Sequence, residues 1–285
     1  MFSLSNIYKK VNSYKLLVNK KIVKKSTLFF WIVLSLSSIP SFASIVIING
    51  LTHAHPIQAG AAFTGKVIVR NDGAKEVRFV VYKQDLRFQC SESYIQYTDA
   101  NSHSNSLGKW IETNVEEKVL APAEQYTLFY TIRIPSTLDS AGSYWTMLMI
   151  EGVDPVREET TNNGVVVGSK VRYGVQVIAD VGVVESPQLS FSDAQILSNP
   201  VNTKYLSAKI QNIGKFSTSV KINLEIYNAE GKKTKTIEGL SRRIYPANCN
   251  QFDIDLSTLP KGKYEAVLVA DNGKDLFGIN VSLDI

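Results

Sequence analysis

Apolar and polar positions alternate along this chain in short runs, too brief and too β-branched to be helices. Ala62 to Arg70, Val77 to Tyr82, Tyr126 to Ile134, Tyr144 to Glu151 and Val171 to Ile178 each mix β-branched and aromatic residues with polar ones. Turn clusters such as Asn71-Asp72-Gly73 and Asn162-Asn163-Gly164 stand between runs of this kind. The second half continues in the same style, with Leu206 to Gln211, Ser219 to Tyr227, Gln251 to Leu256, Tyr264 to Ala270 and Phe277 to Leu283. A period of two bounded by turn residues marks half-buried strands, and strands at this spacing predict a sandwich or barrel.

The halves also match each other. Val69-Arg70-Asn71-Asp72-Gly73 parallels Ile210-Gln211-Asn212-Ile213-Gly214, and Pro122-Ala123 parallels Pro246-Ala247. Ser136-Thr137-Leu138 followed by Gly142-Ser143-Tyr144 parallels Ser257-Thr258-Leu259 followed by Gly262-Lys263-Tyr264. Matches recurring in the same order predict one fold unit written twice. The expectation is an all-β protein of two tandem immunoglobulin-like β-sandwich domains, 44–182 and 189–285. A linker at 183–188 contains Glu185-Ser186-Pro187. Tyr144 and Tyr264 stand where such sandwiches fold a tyrosine hydroxyl back onto the preceding corner. Thr146 and Ala266 occupy the place of the antibody-type cysteine, so both cores must rest on apolar packing. In the first domain Val67, Val69, Phe79, Val81, Leu128, Tyr130, Ile132, Trp145, Met147 and Met149 are the expected core.

The N-terminus changes the reading of compartment and charge. Residues 1–43 hold seven lysines and no acidic residue, then an apolar run from Leu28 to Leu36, then Pro40-Ser41-Phe42-Ala43. A basic head, a short apolar centre and a small residue at the cut are the pattern of a secretory signal peptide. The centre is well short of the roughly 20 residues a spanning helix needs. Without those lysines, 24 basic and 26 acidic side chains remain, so the positive balance belongs to the leader. The mature chain has no cationic surplus for nucleic acid, and no second run long enough to span a bilayer. Export, to the periplasm or alternatively to the cell surface or medium, is the expectation, and oligomeric state is left open. In an oxidising compartment Cys90 and Cys249, the only cysteines, are a candidate disulfide between the halves.

Candidate chemistry is sparse. The run Val171 to Ile178 places Val171, Tyr173, Val175 and Val177 on one face, and as an edge strand it could pair with a strand of another protein. His53 and His55 share a face at i, i+2, but nothing nearby in sequence completes a metal-ligand set, so no metal and no cofactor is expected. Asp271-Asn272-Gly273-Lys274-Asp275 reads as a hairpin turn. Tyr94, Tyr97 and Trp110 lie in the stretch by which the first half exceeds the second, and packing beneath a long loop is their expected role. No glycine-x-serine-x-glycine turn occurs, and Glu116-Glu117 and Glu158-Glu159, adjacent on strands, point to opposite faces. A non-enzymatic protein is expected.

Asp139-Ser140-Ala141-Gly142-Ser143-Tyr144-Trp145, leading through a strand to Val153-Asp154-Pro155, then a polar loop from Asp154 to Asn163 and an extended strand, resembles the periplasmic chaperones of pilus assembly. The resemblance implies two immunoglobulin-like domains behind a signal peptide. It also implies a protein partner, a pilin-like or surface subunit, held by edge-strand pairing along Lys170, Val171, Arg172, Tyr173, Val175 and Val177. The chain departs from that family at Ser140-Ala141-Gly142. The family anchors its client's carboxylate with a first-strand arginine and a last-strand lysine; Ile45 to Ile57 has no lysine or arginine, leaving Lys170 and Arg172. A second similar group is the Gram-positive surface proteins that pair immunoglobulin-like domains, which implies the alternative of a secreted or surface adhesive module binding through loops.

Overall fold

The computed structural model describes residues 45–88, 95–153, 157–160, 166–228 and 230–285. The expected leader, Cys90, Tyr94 and much of the loop after Val153 lie outside the described residues. The first part of the chain contributes β1 (Val46–Ile47), β2 (Thr52–Ile57), β3 (Ala62–Arg70), β4 (Val77–Arg87), β5 (Gln96–Asp99), β6 (Ile111–Thr113), β7 (Glu117–Leu120), β8 (Gln125–Arg133), β9 (Gly142–Gly152), β10 (Arg157–Thr160), β11 (Val166–Ser169) and β12 (Arg172–Val181). The second part contributes β13 (Leu189–Ser198), β14 (Lys204–Asn212), β15 (Thr218–Tyr227), β16 (Lys233–Ile244), β17 (Cys249–Asp255), β18 (Lys263–Asp271) and β19 (Leu276–Asp284). Among the described residues no helix is long and apolar enough to cross a membrane.

These strands build two sandwiches. In the first, a sheet ordered β1-β3-β8-β6 faces one ordered β2-β12-β9-β4-β5, with β7 also paired to β4. The N-terminal segment changes sheets: β1 pairs antiparallel with β3, and β2 pairs parallel with β12. In the second, β13-β14-β17 faces β16-β15-β18-β19. The fold class expected from the alternation is therefore present.

The duplication extends to individual hydrogen bonds. Asn71 and Asn212 are both fully buried. Each holds its own turn closed, its side-chain oxygen accepting from Gly73 N and Gly214 N respectively, both at 2.9 Å. Asn71 Nδ2 donates to the carbonyls of Lys75 and Leu120, and Asn212 Nδ2 to those of Phe216 and Ile244. The backbone of Asn71 also pairs with Ala123 and Glu124, as that of Asn212 does with Ala247 and Asn248. Ala123 and Ala247 share a left-handed φ of 60° and 58°. Both tyrosine corners close: Tyr144 Oη donates to Ser140 O at 3.0 Å, and Tyr264 Oη to Pro260 O at 2.8 Å. A buried amide must find partners, so a short turn motif written twice yields the same internal brace twice.

The cores differ from the expected list in one respect. Val67, Val69, Phe79, Val81, Leu128, Tyr130 and Ile132 meet between the first pair of sheets, joined by Tyr144, Leu148 and Ile150 of β9. Trp145, Met147 and Met149 do not, because they point to the other side of β9. There they form a separate cluster with Leu86, Ile178 and Tyr245. Tyr245 belongs to the second sandwich, so β9 is buried on both faces, one by its own core and one by the neighbouring sandwich. The second sandwich has its own interior, built on Leu206, Ile210, Val220, Leu224, Phe252, Ile254 and Leu268.

Candidate partner-binding edge

Strand β12 carries Arg172, Tyr173, Val175 and Val177 of the residues singled out for partner binding, with Lys170 and Val171 just before it, and its two flanks are unlike. Along its whole length it pairs antiparallel with β9, from Arg172 opposite Glu151 to Val181 opposite Gly142. On the other flank β2 covers only Gln176 to Val181. Among the described residues no strand pairs with Arg172 to Val175 on that side.

Backbone direction follows from the register. Gln176 N donates to Leu51 O at 2.8 Å, so even-numbered residues of β12 aim their backbone groups toward β2. Val171 O accepts from Gly152 N at 3.0 Å, so odd-numbered residues aim theirs toward β9. The open flank therefore presents the N–H and C=O of Arg172 and Gly174. Strand groups left in this way template pairing with another chain. By contrast β2 defends its own outer edge: Leu51 O and Ile57 O point to β12, so Pro56, offset by one, has its missing N–H on the outward side. Edge strands tolerate proline at such a position.

Side chains along β12 divide by depth. Lys170 and Arg172 are exposed, Val171 and Tyr173 half-buried, and Val175 and Val177 fully buried in the first core. Val175 and Val177 thus serve the interior, and the accessible part of the candidate set is Lys170 to Tyr173. Arg172 is ordered by Glu151, to whose Oε2 its Nε donates at 2.8 Å, and lies over the Tyr82 ring at 6.0 Å. Tyr82 Oη donates to the same carboxylate oxygen at 2.8 Å. These hydrogen bonds, Tyr82 first and Arg172 second, hold the Glu151 carboxyl below its usual range.

The far end of β12 runs into the contact between the sandwiches. Asp180 accepts a short hydrogen bond from Ser143 Oγ, which itself accepts from Ser217 N of the second sandwich at 2.7 Å. Burial raises the Asp180 carboxyl above its ordinary value, against the lowering pull of Ser143 and Arg243. Ser143 N donates to Lys215 O, and a Cβ on Gly142 would stand 2.8 Å from that oxygen, so only glycine permits the approach. Nearby, His103, Trp145 and Tyr245 stack with successive centroid distances of 4.4 and 4.5 Å. Tyr245 Oη donates to Gln176 Oε1, and Phe88 N donates to Asn248 Oδ1 at 2.8 Å. Cys249 is disulfide-bonded and 8% exposed; its sequence candidate partner Cys90 lies outside the described residues.

Other singled-out residues take structural places. Trp110 packs on Tyr144 at 5.0 Å against the first core, whereas Tyr97, expected beneath a loop, is instead exposed. Asp271 to Asp275 form the turn between β18 and β19, with Gly273 at φ 85°. His53 and His55 are half-buried, and both reach the hydroxyl of Tyr130. That contact was invisible in sequence because Tyr130 lies some 75 residues away on β8.

Fold and edge together define a tandem immunoglobulin-like sandwich protein in which β12 is covered along one flank over only part of its length. No family model matches the chain, and no curated protein matches it by sequence. Among solved structures it is similar to one titled the CsuC–CsuE chaperone–tip adhesion subunit pre-assembly complex from archaic chaperone-usher Csu pili of Acinetobacter baumannii. That likeness has 14% identity over 84% of this chain and 98% of the other, at a TM-score of 0.46. It is similar also to the Salmonella enterica SafA pilin in complex with the SafB chaperone, at 13% identity, 84% and 96% coverage and a TM-score of 0.43. A third is the E. coli chaperone DraB, at 12% identity, 85% and 98% coverage and a TM-score of 0.41.

Proposed function

We propose that this chain is an exported, non-enzymatic, chaperone-like protein of the periplasm that holds a partner polypeptide by strand pairing along the open half of β12. The observation that carries the reading is the half-covered flank, where Arg172 and Gly174 present backbone groups beside a defended β2. A partner strand laid there would continue the line of β2, with Lys170 and Arg172 flanking it. A pilin-like or surface subunit is the expected class of client. A disulfide between Cys90 and Cys249 would tie the segment after β4 to the second sandwich, next to the Phe88–Asn248 hydrogen bond. Mass measurement of the denatured, unreduced chain would then show no free thiol.

The test separates backbone from side chain. Arg172→Ala removes the guanidinium and keeps the N–H; Arg172→Pro removes both, at a strand start where proline is tolerated. With both variants folded by circular dichroism, the partner recovered with tagged protein from the host envelope should persist with Arg172→Ala and be lost with Arg172→Pro. Equal recovery with both would contradict edge pairing.

A further inference from the structure

We infer that His53, His55 and Tyr130 form a binding site for a divalent transition-metal ion of the copper and zinc class. Three observations meet there. Alternation along β2 puts both imidazoles on one side of the strand, and the crossing of the N-terminal segment between sheets turns that side toward β8. His53 Nδ1 and His55 Nε2 lie 3.1 and 2.7 Å from Tyr130 Oη, so two nitrogens and one oxygen converge on a point. The tyrosine ring reaches this position because β3 has a glycine beneath it: a Cβ on Gly65 would fall 2.2 Å from Tyr130 Cζ.

The site opens to solvent. Its mouth is a groove of about 470 Å³ whose walls include Asn49, Thr64 and Lys66. The titratable groups facing it are His53, His55, Lys66 and Tyr130, and none is a carboxylate. Hard cations such as calcium and magnesium require oxygen-rich sets, whereas imidazole with a phenolic oxygen suits copper and zinc, copper binding more tightly. Water entering the groove would fill the remaining coordination positions. Burial raises the proton affinity of the Tyr130 phenol, so Cu²⁺ binding to its oxygen would have to displace that proton to solvent, and affinity would rise with pH. Sequence reading stopped at the two histidines because the third donor is distant in the chain. Among the described residues no three of His, Cys, Asp and Glu come together, and it is the tyrosine oxygen that completes the set. The inference rests on β2, β3 and β8 alone and does not depend on partner binding.

The test uses the untagged mature protein, stripped with chelator and titrated calorimetrically with Cu²⁺, Zn²⁺ and Mg²⁺. The expected result is one saturable site for Cu²⁺, a weaker one for Zn²⁺, none for Mg²⁺, and a visible phenolate-to-copper absorption band. His53→Gln and His55→Gln should each weaken Cu²⁺ binding at least about tenfold, and Tyr130→Phe should abolish the absorption band. Absence of saturable binding of either ion up to about 1 mM, or binding unchanged in a folded His55→Gln variant, would overturn the proposal. So would persistence of the band in Tyr130→Phe; should that variant not fold, the histidine variants decide.

Discussion

The two sandwiches share a frame and differ in what surrounds it. Asn71 and Asn212 brace equivalent turns, and Tyr144 and Tyr264 close equivalent corners, yet the strands that follow those corners have opposite surroundings. After Tyr144 comes Trp145, 2% exposed and stacked on Tyr245. After Tyr264 comes Glu265, which is exposed and accepts from Ser282 Oγ. The same backbone unit therefore supports a strand apolar on both faces in one copy and a one-sided strand in the other. Residues that repeat define the fold, and residues that break the repeat accompany the differences between the copies: the second sandwich packs on β9, and β12 beside it is covered on one flank along only part of its length.

The largest expected effect breaks this comparison at its centre. Trp145→Ala empties a packed site and removes its Nε1 donation to Leu86 O, which should cost about 4 kcal/mol. Glu265→Ala at the equivalent position should change stability by no more than about 0.5 kcal/mol. Equal losses in denaturant unfolding would mean that the outer face of β9 is not a buried contact. Next, Asn71→Ala and Asn212→Ala should each cost about 3 kcal/mol, since several buried backbone groups lose their partner in either case. A large loss in one and none in the other would show that the braces are not equivalent.

Tyr144→Phe should cost about 1 kcal/mol and Tyr264→Phe about 0.5 kcal/mol, because the second hydrogen bond lies at the exposed surface. The smallest effect is in pH dependence. A folded-state carboxyl raised above its unfolded value binds its proton more readily in the folded chain, so stability from Asp180 rises as pH falls through the folded value toward 3.8. His55 and His103, both lowered chiefly by burial, act oppositely: stability is full above 6.5 and falls as pH drops through their folded values. Asp180→Asn should leave the melting temperature at neutral pH unchanged or higher and steepen its loss on acidification. His103→Gln should make that loss shallower.

Alternation made the inner strands legible. The expected Ala62 to Arg70 coincides with β3, and the runs beginning near Tyr126, Tyr144, Ser219 and Tyr264 agree with β8, β9, β15 and β18 within a few residues. Besides several short strands, pattern reading passed over β2, β13 and β16, which lie at sheet edges. An edge strand such as β16, with Lys233-Thr234-Lys235-Thr236 exposed, carries little apolar periodicity because little of it is buried. The same cause limited the site. Val171 to Val177 could be assigned to one face of a strand, but which flank was open depended on where β2, a short histidine- and proline-containing segment, would pair. The placement of Trp145, Met147 and Met149 was missed because a strand apolar on both sides gives no signal of which side meets which core.

Amide hydrogen exchange along β12 in the unliganded protein, followed residue by residue by NMR, tests the half-open strand most directly. Arg172 and Gly174 should exchange far faster than Tyr173 and Val175, which bond to β9, and faster than Gln176 and Ile178, which face β2. Protection at Gly174 equal to that at Gln176 would mean that the flank is already occupied, and the edge-pairing account would fail.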